Sequence, residues 1–310
     1  MQLKTWLRTS VKKLKDNGVA TAVLDTEVLL ADTLTVDRSW LHAHPEFELS
    51  DEQVASINKQ LDRRKNHEPL AYIRGKQEFY GRELFVSPDT LTPRPETETM
   101  VEMVVAYLMN DERRTMNEEE LQIVDVGTGS GCIIISTALE IQKIQNLRAP
   151  NSAPKTLHYL GLDISKNALK IAKQNAQHLH APVTFQHFDL LQDSISELRT
   201  KDSELVILAN LPYVPDDFHI NLAASHEPSF AIFGGDDGLD YYRLLFKQIS
   251  ELGSRSLNGL KSSRSKIKDP SSITVFTESL PPQHAELEKI AHAHGFKLQK
   301  EADFIQQFAK

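Results

Sequence analysis

Four residues in the second half of the chain, Asn210, Leu211, Pro212 and Tyr213, close an apolar run from Glu204 to Ala209. A strand ending in that order puts an amide, a backbone carbonyl and an aromatic ring at the carboxyl edge of a sheet, where open α/β folds collect their ligands. Such a set can hold a flat, nitrogen-bearing group. The plain alternative is a strand-ending turn, in which asparagine tolerates unusual backbone angles and proline stops the strand.

A second cluster lies upstream, where Asp125 and Val126 run into Gly127, Thr128, Gly129, Ser130 and Gly131 ahead of an apolar helix. Glycines there permit a tight strand-to-helix turn and let a small molecule approach free N–H groups at the helix start. A dinucleotide fingerprint would be G-x-G-x-x-G, but its third glycine falls on Cys132 and glycine stands at 131 instead. The spacing is G-x-G-x-G, which resembles S-adenosyl-L-methionine (AdoMet) binding loops. A turn serving packing alone would read similarly. The next strand ends at Asp163, a carboxylate able to accept from both ribose hydroxyls, or to cap the helix that follows Ser165. A third strand ends at Phe188, Asp189 and Leu190, where an adenine could lie between an apolar side chain and an acceptor for its amino group.

The elements that must position these residues follow from periodicity. Leu3, Trp6, Leu7, Val11 and Leu14 fall near one helical face, and Leu24, Val28, Ala31 and Leu34 form a second stripe. Ser50 with Gln53 reads as a capping box before Val54, Ile57 and Leu61. Three short helices thus make a domain over residues 1–75. Phe79, Tyr80, Gly81, Leu84, Phe85 and Val86 then read as a hairpin linker over 76–92. From 93 to 310 strand-like and helix-like pieces alternate, the pattern of a mostly parallel sheet covered by helices. Strands are expected at Leu121 to Val126, Leu157 to Leu162, Val183 to His187, Glu204 to Ala209 and Ile273 to Glu278, with helices near 131–143, 165–179, 238–251 and 282–294. Two polar inserts, Gln145 to Lys155 and Gly253 to Ser272, read as loops.

Composition narrows the function. The 310 residues carry 35 Lys plus Arg against 43 Asp plus Glu, a formal charge of -8, which argues against a protein held mainly by phosphate backbones. One cysteine excludes an intrachain disulfide and a thiolate zinc cluster. His178 with His180 and His292 with His294 are spaced i, i+2, which on a helix turns the rings to nearly opposite faces, so no metal is expected. No apolar run approaches the roughly 18 residues that span a bilayer, so the reading is a cytoplasmic protein without membrane contact.

The tetrad Asn210 to Tyr213 resembles the (Asn/Asp/Ser)-Pro-Pro-Tyr signature of methyltransferases acting on planar nitrogens, with Leu211 in place of the first proline. The run Leu91, Thr92, Pro93, Arg94, Pro95, Glu96, Thr97, Glu98, the glycine loop, the tetrad, and Glu227, Pro228, Ala231, Gly234, Gly235, Asp237, Gly238, Leu239, Tyr242, Arg243 occur in the order of the HemK-like N5-glutamine methyltransferases of peptide chain release factors. LLADTL, WLHAHPE and EPLAYIRG extend the match to roughly residues 20 to 300. The resemblance implies a seven-stranded, Rossmann-like class I AdoMet-dependent methyltransferase domain after a small helical substrate-recognition domain and a β-hairpin linker. It implies AdoMet held by Gly127, Thr128, Gly129, Ser130, Gly131, Asp163, Asp189, Leu190 and Asn210. Catalysis falls to Asn210, Leu211, Pro212 and Tyr213: the Asn210 oxygen and the Leu211 carbonyl each accept one amide N–H of a glutamine, and Tyr213 stacks on the amide plane. The implied partner is a release factor with its Gly-Gly-Gln loop, met by a monomer with no direct nucleic-acid contact.

Other substrates stay open, namely a glutamine of a large-subunit ribosomal protein, or an adenine, since Asn-Leu-Pro-Tyr also resembles ribosomal RNA adenine dimethyltransferases. That second family carries its extra helical domain after the catalytic one. A non-enzymatic AdoMet-binding adaptor that grips a release factor is a further reading. Phe276 to Ser279 stands where Glu-Ile-Gly is typical, and the ending DFIQQFAK is shorter than the family's usual last strands.

Overall fold

The structure is a computed structural model and describes residues 1–110, 120–147, 156–191, 204–255 and 273–310. Most of the two polar inserts expected at Gln145 to Lys155 and Gly253 to Ser272 lies outside the described residues. The chain divides into two compact units, Met1–Gln77 with Ile220–Glu227, and Glu78–His219 with Pro228–Lys310.

The first unit is helical, with α1 (Leu3–Asp16), α2 (Ala22–Leu34), α3 (Arg38–Ala43), α4 (Asp51–Lys65) and α5 (Leu70–Arg74). Leu3, Trp6, Leu14, Leu30, Ile57 and Leu61 pack in its core. The capping box at Ser50 forms as the spacing predicts: Gln53 N–H donates to Ser50 Oγ at 3.2 Å, and Ser50 N–H to Gln53 Oε1 at 2.9 Å. Two expectations need correction. Helices α3 and α5 span only 6 and 5 residues, too few for a periodic stripe to mark them. In α2 the stripe through Leu24 is misphased: Leu24 is exposed while Asp25 and Glu27 are buried. Arginines from other helices explain this, since Arg64 reaches Asp25 at 2.7 Å and Arg38 reaches Glu27 at 2.6 Å, so buried charge is paired.

Strands β1 (Lys76–Phe79) and β2 (Arg82–Phe85) form a hairpin turned by Tyr80 and Gly81 at φ 51° and 68°, the left-handed pair that tight two-residue turns require. The second unit continues with α6 (Glu98–Asn110), β3 (Glu120–Val126), α7 (Cys132–Leu147), β4 (Thr156–Asp163), α8 (Lys166–His178), β5 (Val183–His187), β6 (Glu204–Ala209), α9 (Asp240–Arg255), β7 (Ile273–Glu278), α10 (His284–Ala293), β8 (Lys297–Ala302) and β9 (Ile305–Ala309). Seven of these strands form one sheet in the order β5-β4-β3-β6-β7-β9-β8. The ending judged short by sequence still supplies two strands: β9 runs antiparallel to β7 and to β8, while the other pairs are parallel.

Alternation along each strand sends side chains to two cores. Val124, Val126, Leu205, Ile207 and Ala209 pack with Tyr242, Leu245 and Phe246 of α9 and Leu287 of α10. Leu121, Ile123, Val206 and Leu208 pack with Met100 and Val104 of α6, Ile134 of α7 and Leu169 of α8. Helices therefore cover both faces. Strand order reverses direction between β3 and β6, which makes their carboxyl ends the switch point where such sheets open a crevice.

Candidate active site

The glycine loop leaves β3 at that switch point. Gly127 and Thr128 both donate their N–H to the Leu162 carbonyl, at 2.9 and 2.8 Å, which folds the loop across the end of β4. Gly127, Gly129 and Gly131 take φ of 75°, 55° and 81°, a region closed to most side chains. The two hydroxyl side chains turn inward. Thr128 donates to Asp125 Oδ2 at 2.6 Å, and Ser130 is buried. What the loop offers a ligand is therefore backbone. Burial raises the Asp125 carboxyl to a pKa of about 7, against the opposing pull of the Thr128 hydroxyl. Cys132 packs partly buried against the core, as its position after the loop suggests.

Asp163 joins the loop to the next helix. One carboxylate oxygen accepts Gly129 N–H at 2.8 Å, and the other accepts Ser165 N–H at 2.7 Å. Ser165 caps α8 itself, accepting Ala168 N–H at 3.1 Å. The capping alternative for Asp163 thus has a different owner. Burial pushes the Asp163 carboxyl up, and the two backbone N–H groups oppose that. A carboxylate has about four acceptor positions, so two stay available for vicinal hydroxyls. Phe188 N–H donates to the Asp163 carbonyl at 3.1 Å, which brings the 188–190 segment beside it. Asp189 is exposed there, whereas the Leu190 side chain is buried in the core with Leu162 and Leu211.

The tetrad follows β6, and strand register sets its neighbours. Ala209 pairs with Val126 of β3 and with Thr277 of β7, so Asn210 stands level with Gly127 on one side and Glu278 on the other. Leu211 is buried and its side chain lies over the loop: a Cβ at Gly127 would sit 3.1 Å from Leu211 Cδ2. The structure thus brings the loop and the tetrad together. Leu211 N–H donates to the Tyr242 hydroxyl at 3.2 Å, a bond that proline at this position could not make. The Tyr213 hydroxyl donates to Glu278 Oε1 at 3.1 Å, and its carbonyl accepts from Gln283 Nε2 at 2.8 Å.

Two supporting residues, Glu278 and Gln283, escape a reading of motifs, and Tyr242 of the Glu227 to Arg243 run joins them. Glu278, at 1% exposure, ends β7 directly beneath the tetrad, where burial pushes its pKa up to about 7. Tyr242 of α9 donates to the Glu278 carbonyl, and Gln283 bridges the carbonyls of Tyr213 and Asp237. The signal for Glu278 is a carboxylate closing the β-branched and aromatic run Ile273 to Thr277. Thr97, in the Thr92 to Glu98 stretch, accepts from Asn210 Nδ2 at 3.2 Å, so that stretch is both a helix start and part of the site. The stretch from Glu227 to Gly238 is divided: Glu227 belongs to the first unit and Pro228 onward to the second. Within the second, Gly234 N–H donates to the Val214 carbonyl at 2.9 Å, and any Cβ at Gly238 would strike the Tyr213 carbonyl oxygen. Close backbone approach is what those glycines provide. Chemically, the level edge can seat a small cofactor on backbone N–H groups and aim a planar amide at it.

Comparison with known proteins gives two family matches. Residues 5–75 match the PrmC N-terminal domain, and residues 104–215 match an RMKL-like methyltransferase domain. Among curated relatives, a release factor glutamine methyltransferase of Koribacter versatilis is 36% identical over 254 residues, covering 81% of this chain and 82% of the relative. One of Bacillus cereus is 36% identical over 226 residues, covering 72% and 73%, and one of Coxiella burnetii is 37% identical over 238 residues, covering 76% of each. Among solved structures, the hMettl16 catalytic domain aligns with a TM-score of 0.45 at 12% identity, over 84% of this chain and 81% of that one. With a loop and a tetrad meeting at the switch point of a seven-stranded sheet, and relatives matching over most of their length, the chain belongs to the release factor glutamine methyltransferase family.

Proposed function

We propose that this protein methylates the side-chain amide nitrogen, N5, of a glutamine in a protein, the glutamine of the Gly-Gly-Gln motif of class-1 peptide chain release factors, using S-adenosyl-L-methionine as methyl donor. The observation that carries the reading is the meeting of Leu211 with Gly127, which sets an amide-binding tetrad against a cofactor loop at one sheet edge.

The residues present fit the cofactor. Backbone at Gly127, Gly129 and Gly131, the spare acceptor positions of Asp163, and the exposed Asp189 carboxylate suit a methionine, a ribose and an adenine amino group respectively. When bound, the cofactor supplies an electrophilic methyl group on a sulfonium. A glutamine amide is a poor nucleophile, because its lone pair is delocalised into the carbonyl. Asn210 Oδ1 and the Leu211 carbonyl each accept one amide N–H, which holds the nitrogen in line and stabilises positive charge developing there. Tyr213 lies along the amide plane, and Pro212 stiffens the turn. No side-chain nucleophile takes part.

The helical first unit holds the body of the release factor while the edge of the sheet takes one side chain. In this reading the domains run 1–75 and 93–310 with the hairpin between, and the protein acts as a cytoplasmic monomer without direct nucleic-acid contact. No helix among the described residues is long and apolar enough to cross a membrane. Asn210→Ala tests the chemistry: AdoMet affinity is expected to persist while methylation of release factor falls by at least about 100-fold, the scale for losing one positioned transition-state partner. Near wild-type turnover would defeat the assignment. Incubation with labelled AdoMet and either release factor, ribosomal protein or ribosomal RNA separates the substrates.

A further inference from the structure

Asn210 matters in the proposed reaction only if its oxygen, not its nitrogen, faces the incoming amide. An asparagine side chain is nearly symmetric in shape, so something must choose between its two ends. The groups behind it make that choice. Thr97 Oγ1 accepts from Asn210 Nδ2 at 3.2 Å. The Tyr213 hydroxyl donates to Glu278 Oε1 at 3.1 Å, Glu278 Oε2 is buried without a hydrogen-bond partner, and Thr97, Tyr213 and Asn210 all favour the charged carboxylate against its burial. An ionised carboxylate has no proton to give and can face only the NH2 end of an amide.

We propose that Glu278 is the positioning residue of the tetrad: its carboxylate, at the tip of β7, locks the Asn210 amide with nitrogen inward and oxygen toward substrate, and anchors the Tyr213 ring by its hydroxyl. The proposal rests on the amide-methylation reading and adds a residue to it. It also explains why an acidic group is kept in an apolar site, where burial opposes its charge. Tyr242 fixes the same strand tip from the other face by donating to the Glu278 carbonyl.

Protonation would undo the lock, because a carboxylic acid can donate to Asn210 Oδ1 and stabilise the opposite orientation. The ionisable groups that face Glu278 are Glu96, whose charge raises it further, Tyr213, Tyr242 and Cys132. Arg94 acts on Tyr213 from the same side as Glu96. Of these groups Glu278 is the one held near neutrality, at about 7. Turnover therefore falls as pH drops through that value, while cofactor binding does not.

The test uses the full chain with AdoMet and intact release factor. Glu278→Gln is expected to lower kcat by at least about 30-fold, with the AdoMet dissociation constant within twofold of wild type and the acid limb near pH 7 gone. Adding Glu278→Gln to Asn210→Ala is expected to cost less than threefold more than Asn210→Ala alone, because both act on one oxygen. A fully multiplicative loss in the double variant, or wild-type kcat in Glu278→Gln, overturns the proposal. A second measurement leaves Glu278 intact and does not need the release-factor reaction. In 15N-labelled wild-type protein, the Asn210 side-chain NH2 signals, identified by their loss in Asn210→Ala, are expected to shift with a midpoint near pH 7. A flat titration also sinks the proposal. If release factor is not methylated by wild type while those signals still titrate, the reading of the substrate fails and the role of Glu278 stands.

Discussion

Leu211 closes over Gly127, its Cδ2 lying 3.1 Å from where a Cβ at 127 would be. That contact couples the two halves of the site. Gly127→Ala is therefore expected to cost about 1–2 kcal/mol for its positive φ alone, and to weaken AdoMet binding by displacing Leu211. Pairing it with Leu211→Ala relieves the contact but not the backbone strain. Thermal denaturation and titration calorimetry of the single and double variants separate the two; equal affinity in wild type and Gly127→Ala would show the loop to be spectator structure.

Leu211→Pro would restore the tetrad seen in related enzymes, yet here it removes the N–H that meets the Tyr242 hydroxyl. The expected result is a loss of about 1 kcal/mol in stability with turnover within about threefold, since the backbone carbonyl at 211 is kept. A melting curve and initial rates check it. A gain in stability would mean that ring stiffness outweighs the lost bond.

At Gly238 a side chain has no room, for its Cβ would strike the Tyr213 carbonyl and the Gln283 amide. Gly238→Ala is expected to reduce kcat more than tenfold by tilting the tetrad, with little change in AdoMet affinity. Steady-state kinetics beside equilibrium binding decide it.

Motif residues were legible in sequence because local types carry their own signal: glycines at a strand end, then a strand closing on Asn-Leu-Pro-Tyr. The partners that orient them were not. Glu278 stands beside Asn210 through the β6–β7 register, which pairs Ala209 with Thr277 and cannot be read from either segment alone. Buried charge misled in a similar way. Asp25 and Glu27 point inward because Arg64 and Arg38 arrive from other helices, so hydrophobic phasing placed Leu24 inside when it is exposed. In β9, Gln306 and Gln307 are buried among apolar neighbours, which hides the alternation that marks a strand.

Breaking the Arg64–Asp25 pair is expected to destabilise the first unit by about 3–5 kcal/mol in Arg64→Ala, because Asp25 is then buried without a cation. The expected signature is an early unfolding transition confined to the helical unit, seen by calorimetry or limited proteolysis. A change under 1 kcal/mol would mean that water reaches the carboxylate.

Asp125 gives a pH signature. Its folded pKa of about 7 exceeds the usual value of 3.8, so the folded protein binds the extra proton between those limits. Stability contributed by the protonated form is complete below about pH 4 and is lost as pH rises toward 7. Asp125→Asn can still accept from Thr128 and carries no charge. It is expected to be more stable than wild type at pH 8, by about 2–4 kcal/mol, and to lose that advantage near pH 4. Urea midpoints at both pH values measure it; an advantage independent of pH would assign the effect to packing.

The tips of β3 and β6 finish level and β7 runs one residue further, so the gap between loop and tetrad is fixed by the backbone ladder and not by the bulk of any side chain. Apolar residues beneath can be exchanged for others of similar volume without moving the two loops apart. Deleting one residue from any of the three strands would turn its side chains to the opposite face. Drift in spelling is tolerated at this edge; drift in length is not.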